Sequence, residues 1–101
     1  MMSIGFVYMV RLSRPMFHAR LYLGSTVNLE KRMAQHCSGN GSPLLRTAIE
    51  RGIQLTVIYS LRCTSVSEAR IIEAKLKRWK SNRKALVWIT DNIDQSRKDS
   101  F

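Results

Sequence analysis

Tyr8, Tyr22, Arg32 and His36 are the residues of this sequence whose types and spacing suit chemistry on a phosphodiester. Two phenols bring hydroxyl groups, a guanidinium brings a permanent cation shaped for phosphoryl oxygens, and an imidazole titrating near 6.5 brings a base. Spacing gathers them. Tyr22 and Gly24 share one face of a short strand by period two, and Tyr8 sits midway along the strand before it, so the phenols fall side by side. Arg32 and His36 are i, i+4 neighbours on a following helix, and their heads converge over one patch. Gly24 suits a place where backbone comes close to another group. Ser25 and Thr26 put hydroxyls at a helix N-terminus, a natural phosphate site.

The elements that must hold these residues are readable in order. Ile4 to Leu12 is β-branched, aromatic and apolar on both faces, which predicts a central strand buried on two sides. Ser13 to Ala19 reads as a connection broken by Pro15, and Arg20 to Ser25 as a second strand paired with the first in a wide hairpin. Leu29, Met33 and His36 mark one helix face, with Asn28 or Thr26 as the cap. Ser42 as N-cap, Pro43 at the first helical position and Gly52 beyond the end punctuate a second helix. Ile53 to Arg62 reads as a third strand. Ser65 to Glu68 has capping-box spacing and opens a helix with Ala69, Ile72, Leu76 and Trp79 on one stripe. A short last helix is expected over Ser81 to Thr90. The order ββααβαα predicts an α+β fold on a small three-stranded antiparallel or mixed sheet, with a domain over 1–90 and a polar, fraying tail over 91–101.

Charge names the class of partner. The chain has 101 residues, 17 Lys and Arg against 7 Asp and Glu, and is 45% apolar, so it can fold while keeping a strong positive field. Asp91, Asp94 and Asp99 all lie near the end, and the first ninety residues hold only Glu30, Glu50, Glu68 and Glu73 as carboxylates. A polyanion is the expected partner. The cations are scattered through strand and helix signals instead of forming a block beside an apolar helix, which argues against a membrane surface. Cys37 and Cys63 lack zinc or redox spacing and read as free thiols, and no transmembrane or signal segment is evident. A soluble, cytoplasmic protein is expected.

At these same residues the chain resembles the GIY-YIG nuclease family. Its two short motifs lie on adjacent strands and read here as Phe6-Val7-Tyr8 and Tyr22-Leu23-Gly24. Phe6 stands where the family's first motif has glycine, and the connection from Tyr8 to Tyr22 is longer than in compact members. The resemblance spans residues 4 to 89 and implies a metal-dependent DNA endonuclease. It maps the family's helix arginine and histidine onto Arg32 and His36 and its metal-binding glutamate onto Glu73, which would hold Mg²⁺ or Mn²⁺. It favours Tyr8 as general base, whereas elementary acidity favours His36, because ionising a phenol at neutral pH costs about 4 kcal/mol. Tyr22 would position water or a phosphate oxygen. Gly24, Ser25, Thr26, Lys31, Arg46, Lys77 and Lys80 are the expected DNA contacts.

Each residue also has an ordinary reading. Tyr8 and Tyr22 can be core phenols, Arg32 a solvated helix arginine, His36 a satisfied face histidine and Glu73 the helix partner of Lys77. Glu73 nonetheless borders the apolar stripe and points toward the domain, whereas Glu30 and Glu50 face outward and Glu68 has a capping role. The tryptophans and methionines read as packing. Two further classes compete with an endonuclease: a basic domain that binds nucleic acid without cutting it, and a subunit of a larger nuclease assembly. Specificity would come from DNA structure, a homodimer or a protein partner.

Overall fold

The computed structural model describes residues 4–16 and 19–99, with side-chain environments through residue 92. Residues 17 and 18 of the expected connection, and 100 and 101 of the expected tail, lie outside the described residues. The order is β1 (Gly5–Met16), β2 (Ala19–Thr26), α1 (Leu29–Cys37), α2 (Pro43–Glu50), β3 (Leu55–Cys63), α3 (Val66–Arg78) and α4 (Asn82–Asp99). The three strands form one sheet in the order β2-β1-β3, antiparallel throughout. It is an α+β fold of the expected ββααβαα order. None of the described helices is long and apolar enough to cross a membrane.

β1 is central because its residues are apolar on both faces. Val7, Tyr8, Met9 and Val10 are all fully buried. By alternation Val7 and Met9 face one side, where they join Leu23, Leu61, Ala69, Leu76, Ala85 and Ile89 in a core shared with α3 and α4. A second core packs Leu12 and Met16 of β1 against Leu45 and Ala48 of α2 and Ile53, with Tyr22 at its edge. Burying side chains of this size stabilises by roughly 1.5–3 kcal/mol each, which fixes the sheet between two helical layers.

Local chemistry sets the helix starts. Asn28 accepts from the Lys31 amide at 3.0 Å, Ser42 from Leu45 and Ser65 from Glu68. Glu68 does not complete a capping box: its carboxylate takes the Thr64 hydroxyl instead. Gly52 holds a φ of +75°, the left-handed conformation that ends α2.

Two elements differ from the sequence reading. β1 continues through Pro15 to Met16 where a loop was expected. Its pairing with β3 stops at Leu12, so the missing Pro15 N–H interrupts no ladder there. The longer connection between the two tyrosine motifs is thus strand through Met16 and again from Ala19: the register shifts after Arg11 and pairs Met16 with Ala19. α4 runs to Asp99, well beyond the short helix expected to end at Thr90.

Candidate active site

Register places the phenols. Tyr8 pairs with Gly24 and Val10 with Tyr22, so Tyr8 and Tyr22 lie on the same face two steps apart. Their ring centroids are 6.5 Å apart. β2 is an edge strand, and the Tyr8 ring leans across it at Gly24. A Cβ on Gly24 would stand 2.5 Å from the Tyr8 hydroxyl oxygen and 2.6 Å from Cζ, which is why glycine is needed there. His36 lies in the last turn of α1, fully buried, with Nε2 2.8 Å from Tyr8 Oη. Its ring meets Tyr22 edge-on at a centroid distance of 5.6 Å. Behind it stands Gly41, where a Cβ would fall directly on His36 Nδ1.

Burial governs acidity in this cluster. Enclosure pushes the Tyr8 hydroxyl above the usual tyrosine value; the Arg32 guanidinium partly offsets this by hydrogen bonding and charge, while Tyr22 and Glu73 add to it. Enclosure, and then the Arg32 charge, hold His36 below its usual value, so the imidazole is neutral at pH 7. A phenol and a neutral imidazole share one hydrogen bond. Arg32 donates from Nη1 to Gln35 Oε1 at 3.3 Å, and its buried Nε has no partner.

Glu73 lies on α3 with its side chain about one-fifth exposed, its Oε1 taking the Ser25 hydroxyl and its Oε2 2.6 Å from Lys77 Nζ. Ser25 pairs with Val7 and so points toward α3, opposite to the Gly24 face. Between α1 and the start of α3 lies a cleft of about 310 Å³, lined by Ser25, Thr26, Lys31, Arg32, Gln35 and Arg70 among others. Thr26 also caps the turn into α1 through the Asn28 amide.

The expected residues therefore divide. Tyr8, Tyr22, Gly24 and His36 meet in one buried cluster, Arg32 joins it to the cleft, and Ser25, Thr26 and Lys31 line that cleft. Glu73 and Lys77 pair beside Ser25. Arg46 is placed elsewhere: it sits on α2, bonded to Glu50 at 3.3 Å, over a separate hollow beside Gly39 and Gly41. Lys80 follows α3 with a φ of 51° and is not part of the cleft lining. Arg70 and Gln35 are cleft residues that the sequence reading missed. Arg70 precedes Glu73 by three positions and Gln35 follows Arg32 by three, so helix spacing from the chosen anchors was the signal.

A family model, the GIY-YIG catalytic domain, matches residues 4–85. The chain belongs to the GIY-YIG family. No curated protein and no solved structure matches it. The matched segment runs from the start of β1 into α4 and includes Tyr8, Tyr22, Arg32, His36 and Glu73. A GIY-YIG domain implies nuclease activity, hydrolysis of phosphodiesters in a nucleic-acid substrate. GIY-YIG nucleases are generally dependent on a divalent metal. Among the described residues no three His, Cys, Asp or Glu side chains cluster around a common point. The Glu73 carboxylate and Ser25 hydroxyl are hard oxygen donors, a set that fits a GIY-YIG metal ion retaining most of its own water.

Proposed function

We propose that this GIY-YIG domain is a metal-dependent DNA endonuclease in which Tyr8 takes the proton of the attacking water. The observation that carries the reading is the 2.8 Å contact between Tyr8 Oη and a buried, neutral His36. A phenol held above its usual acidity range is a poor base alone. Bonded to imidazole it can accept the water proton at Oη while its own proton moves to Nε2, so no isolated phenolate forms. The new bond joins the water oxygen to phosphorus, and the bond to the leaving ester oxygen breaks.

Arg32 faces the charge that grows on the non-bridging oxygens, and Tyr22 orients the water or a phosphate oxygen. Glu73, with Ser25 beside it, would hold Mg²⁺ or Mn²⁺, which when bound supplies Lewis-acid stabilisation of the leaving oxygen. Lys31, Thr26 and Arg70 contact flanking phosphates, with Lys77 farther along α3 and Lys80 just past its end. A surface built from such contacts binds through the backbone, so affinity falls with salt and selects little among sequences.

The test is Glu73→Gln, which keeps shape and removes charge. Plasmid nicking in Mg²⁺ is expected to fall on the order of a thousandfold or more, while thermal stability stays and DNA binding is unchanged or slightly tighter. A variant that nicks at the normal rate would make Glu73 an ordinary helix partner of Lys77. Loss of nicking together with loss of DNA binding would point to a structural role.

A further inference from the structure

The segment that joins α3 to α4 carries a second surface. Six of the ten residues from Lys75 to Lys84 are cationic and none is acidic. Within this run Trp79, which the sequence places on the apolar stripe as packing, caps α3 and is 38% exposed. At Lys80 the chain takes a positive φ and reverses, and Ser81 then caps α4 through the Lys84 amide at 3.2 Å. The reversal brings Trp88, half-buried against the α3 and α4 core, to the same hollow as Trp79. That hollow measures about 720 Å³ and is also lined by Arg83, Lys84, Val87 and Asp91. Lys75 Nζ stands 5.9 Å from the Trp79 ring centre and 5.0 Å from that of Trp88, so one ammonium sits between two indoles.

We infer that this hollow binds an unpaired base of single-stranded nucleic acid, stacked on Trp79 and held by the surrounding cations at its phosphates. Three features favour that occupant. Indole faces accept any base, and the hollow is of the size that encloses a small aromatic group. The rim of lysine and arginine matches a phosphate backbone, whereas an apolar peptide would leave those charges without counterparts. Asp91, the one acidic group on the lining, offers an acceptor to the N–H edge of a base. Trp79, the C-cap of α3, lies nine residues beyond Arg70 of the cleft, about 14 Å along the helix axis, so the hollow is within a few nucleotides of the cleft.

The inference concerns binding alone, so its test is run without metal and does not depend on cleavage. The chain has only two tryptophans, and its intrinsic emission therefore reports on this hollow. Titration with a short single-stranded oligothymidylate is expected to quench that emission and to shield it from acrylamide. Trp79→Ala should weaken single-strand binding about tenfold, with Trp79→Leu weakened alike and Trp79→Phe retaining most of the affinity, because a ring face is what the base needs. A base-paired hairpin of equal charge should bind Trp79→Ala and the unaltered protein equally. Emission that ignores the oligothymidylate overturns the inference in favour of a protein occupant. So does an affinity that follows charge alone, with Trp79→Leu and Trp79→Phe indistinguishable from the unaltered chain.

Discussion

The two halves of the candidate site are held by opposite means. Tyr8 and His36 are fully buried, each packed against a glycine where a Cβ would clash. Glu73, Lys77, Lys31 and Arg70 stand at the water's edge, where Glu73 has the Ser25 hydroxyl and one exchangeable ammonium as partners. Polar interactions in the first half act through a low dielectric and resist salt; the charges of the second are screened within about 10 Å at 0.1 M ionic strength. On the proposed function, proton chemistry falls to the buried half and phosphate capture to the half that meets water. Arg32 belongs to both, its Nε buried without a partner while its Nη1 reaches Gln35 at the cleft.

The largest expected effect would break the buried half while sparing its shape. Tyr8→Phe keeps the ring and removes the hydroxyl that meets His36, and plasmid nicking should fall to background while single-turnover binding of DNA is retained. His36→Ala should leave slow nicking with a displaced pH optimum. If His36→Ala were the dead variant and Tyr8→Phe the slow one, His36 would be the base that meets water.

Next in size are the glycines that wall the pair. Gly24→Ala forces a methyl against the Tyr8 phenol and should destabilise by about 1–3 kcal/mol, a fall of several degrees in Tm, with nicking reduced further than stability alone explains. Gly41→Ala should cost less, because the loop between α1 and α2 can give where a paired strand cannot. Equal melting temperatures for Gly24→Ala and the unaltered chain would show that the phenol is free to move.

Titration separates the halves more gently. His36 is held below its usual value, so the unfolded chain binds its proton first as pH falls. Its contribution is complete above about 6.5 and is lost as pH drops through the folded value. Melting curves across that window should lose this slope in His36→Ala, and nicking should fall along the same acid limb. Tyr8 is shifted upward, so stability should decline only above pH 10, where the unfolded chain ionises first. The smallest effect belongs to the wet half: Lys77→Gln should change stability by no more than about 0.5 kcal/mol, while Mn²⁺ binding measured by calorimetry becomes tighter.

What the sequence disclosed follows the range of the interactions. Ser42, Pro43 and Ser65 mark helix starts through contacts within three residues, so those starts could be read directly. The alternation that puts Tyr8, Tyr22 and Gly24 on one face is equally local once the strands are paired, and i, i+4 spacing carries Arg32 and His36. Arg46 has the right charge, but α2 is oriented by Leu45 and Ala48 against the second core, which turns Arg46 to another hollow. Pro15 reads as a breaker because sequence does not show that its strand has left the β3 ladder. Trp79 fits an apolar stripe, yet a stripe does not reveal where the helix stops, and at the C-cap its outer face meets water. Gln35 and Arg70 are ordinary polar helix residues until two distant helices are seen to border one cleft.

In the proposed mechanism the unpartnered Nδ1 of His36 sets a limit on proton traffic through the site. That atom is buried beside Gly41, with no hydrogen-bond partner among the described residues. On that mechanism the pair is a cul-de-sac: a proton that enters through Tyr8 meets no protein group at the rear and leaves by the same hydroxyl. In a cleavage cycle this ties the end of the reaction to its beginning, because the imidazole is restored only when Tyr8 returns a proton to the departing oxygen or to the cleft water that replaces it. On that mechanism each turnover borrows one proton and gives one back at the same atom.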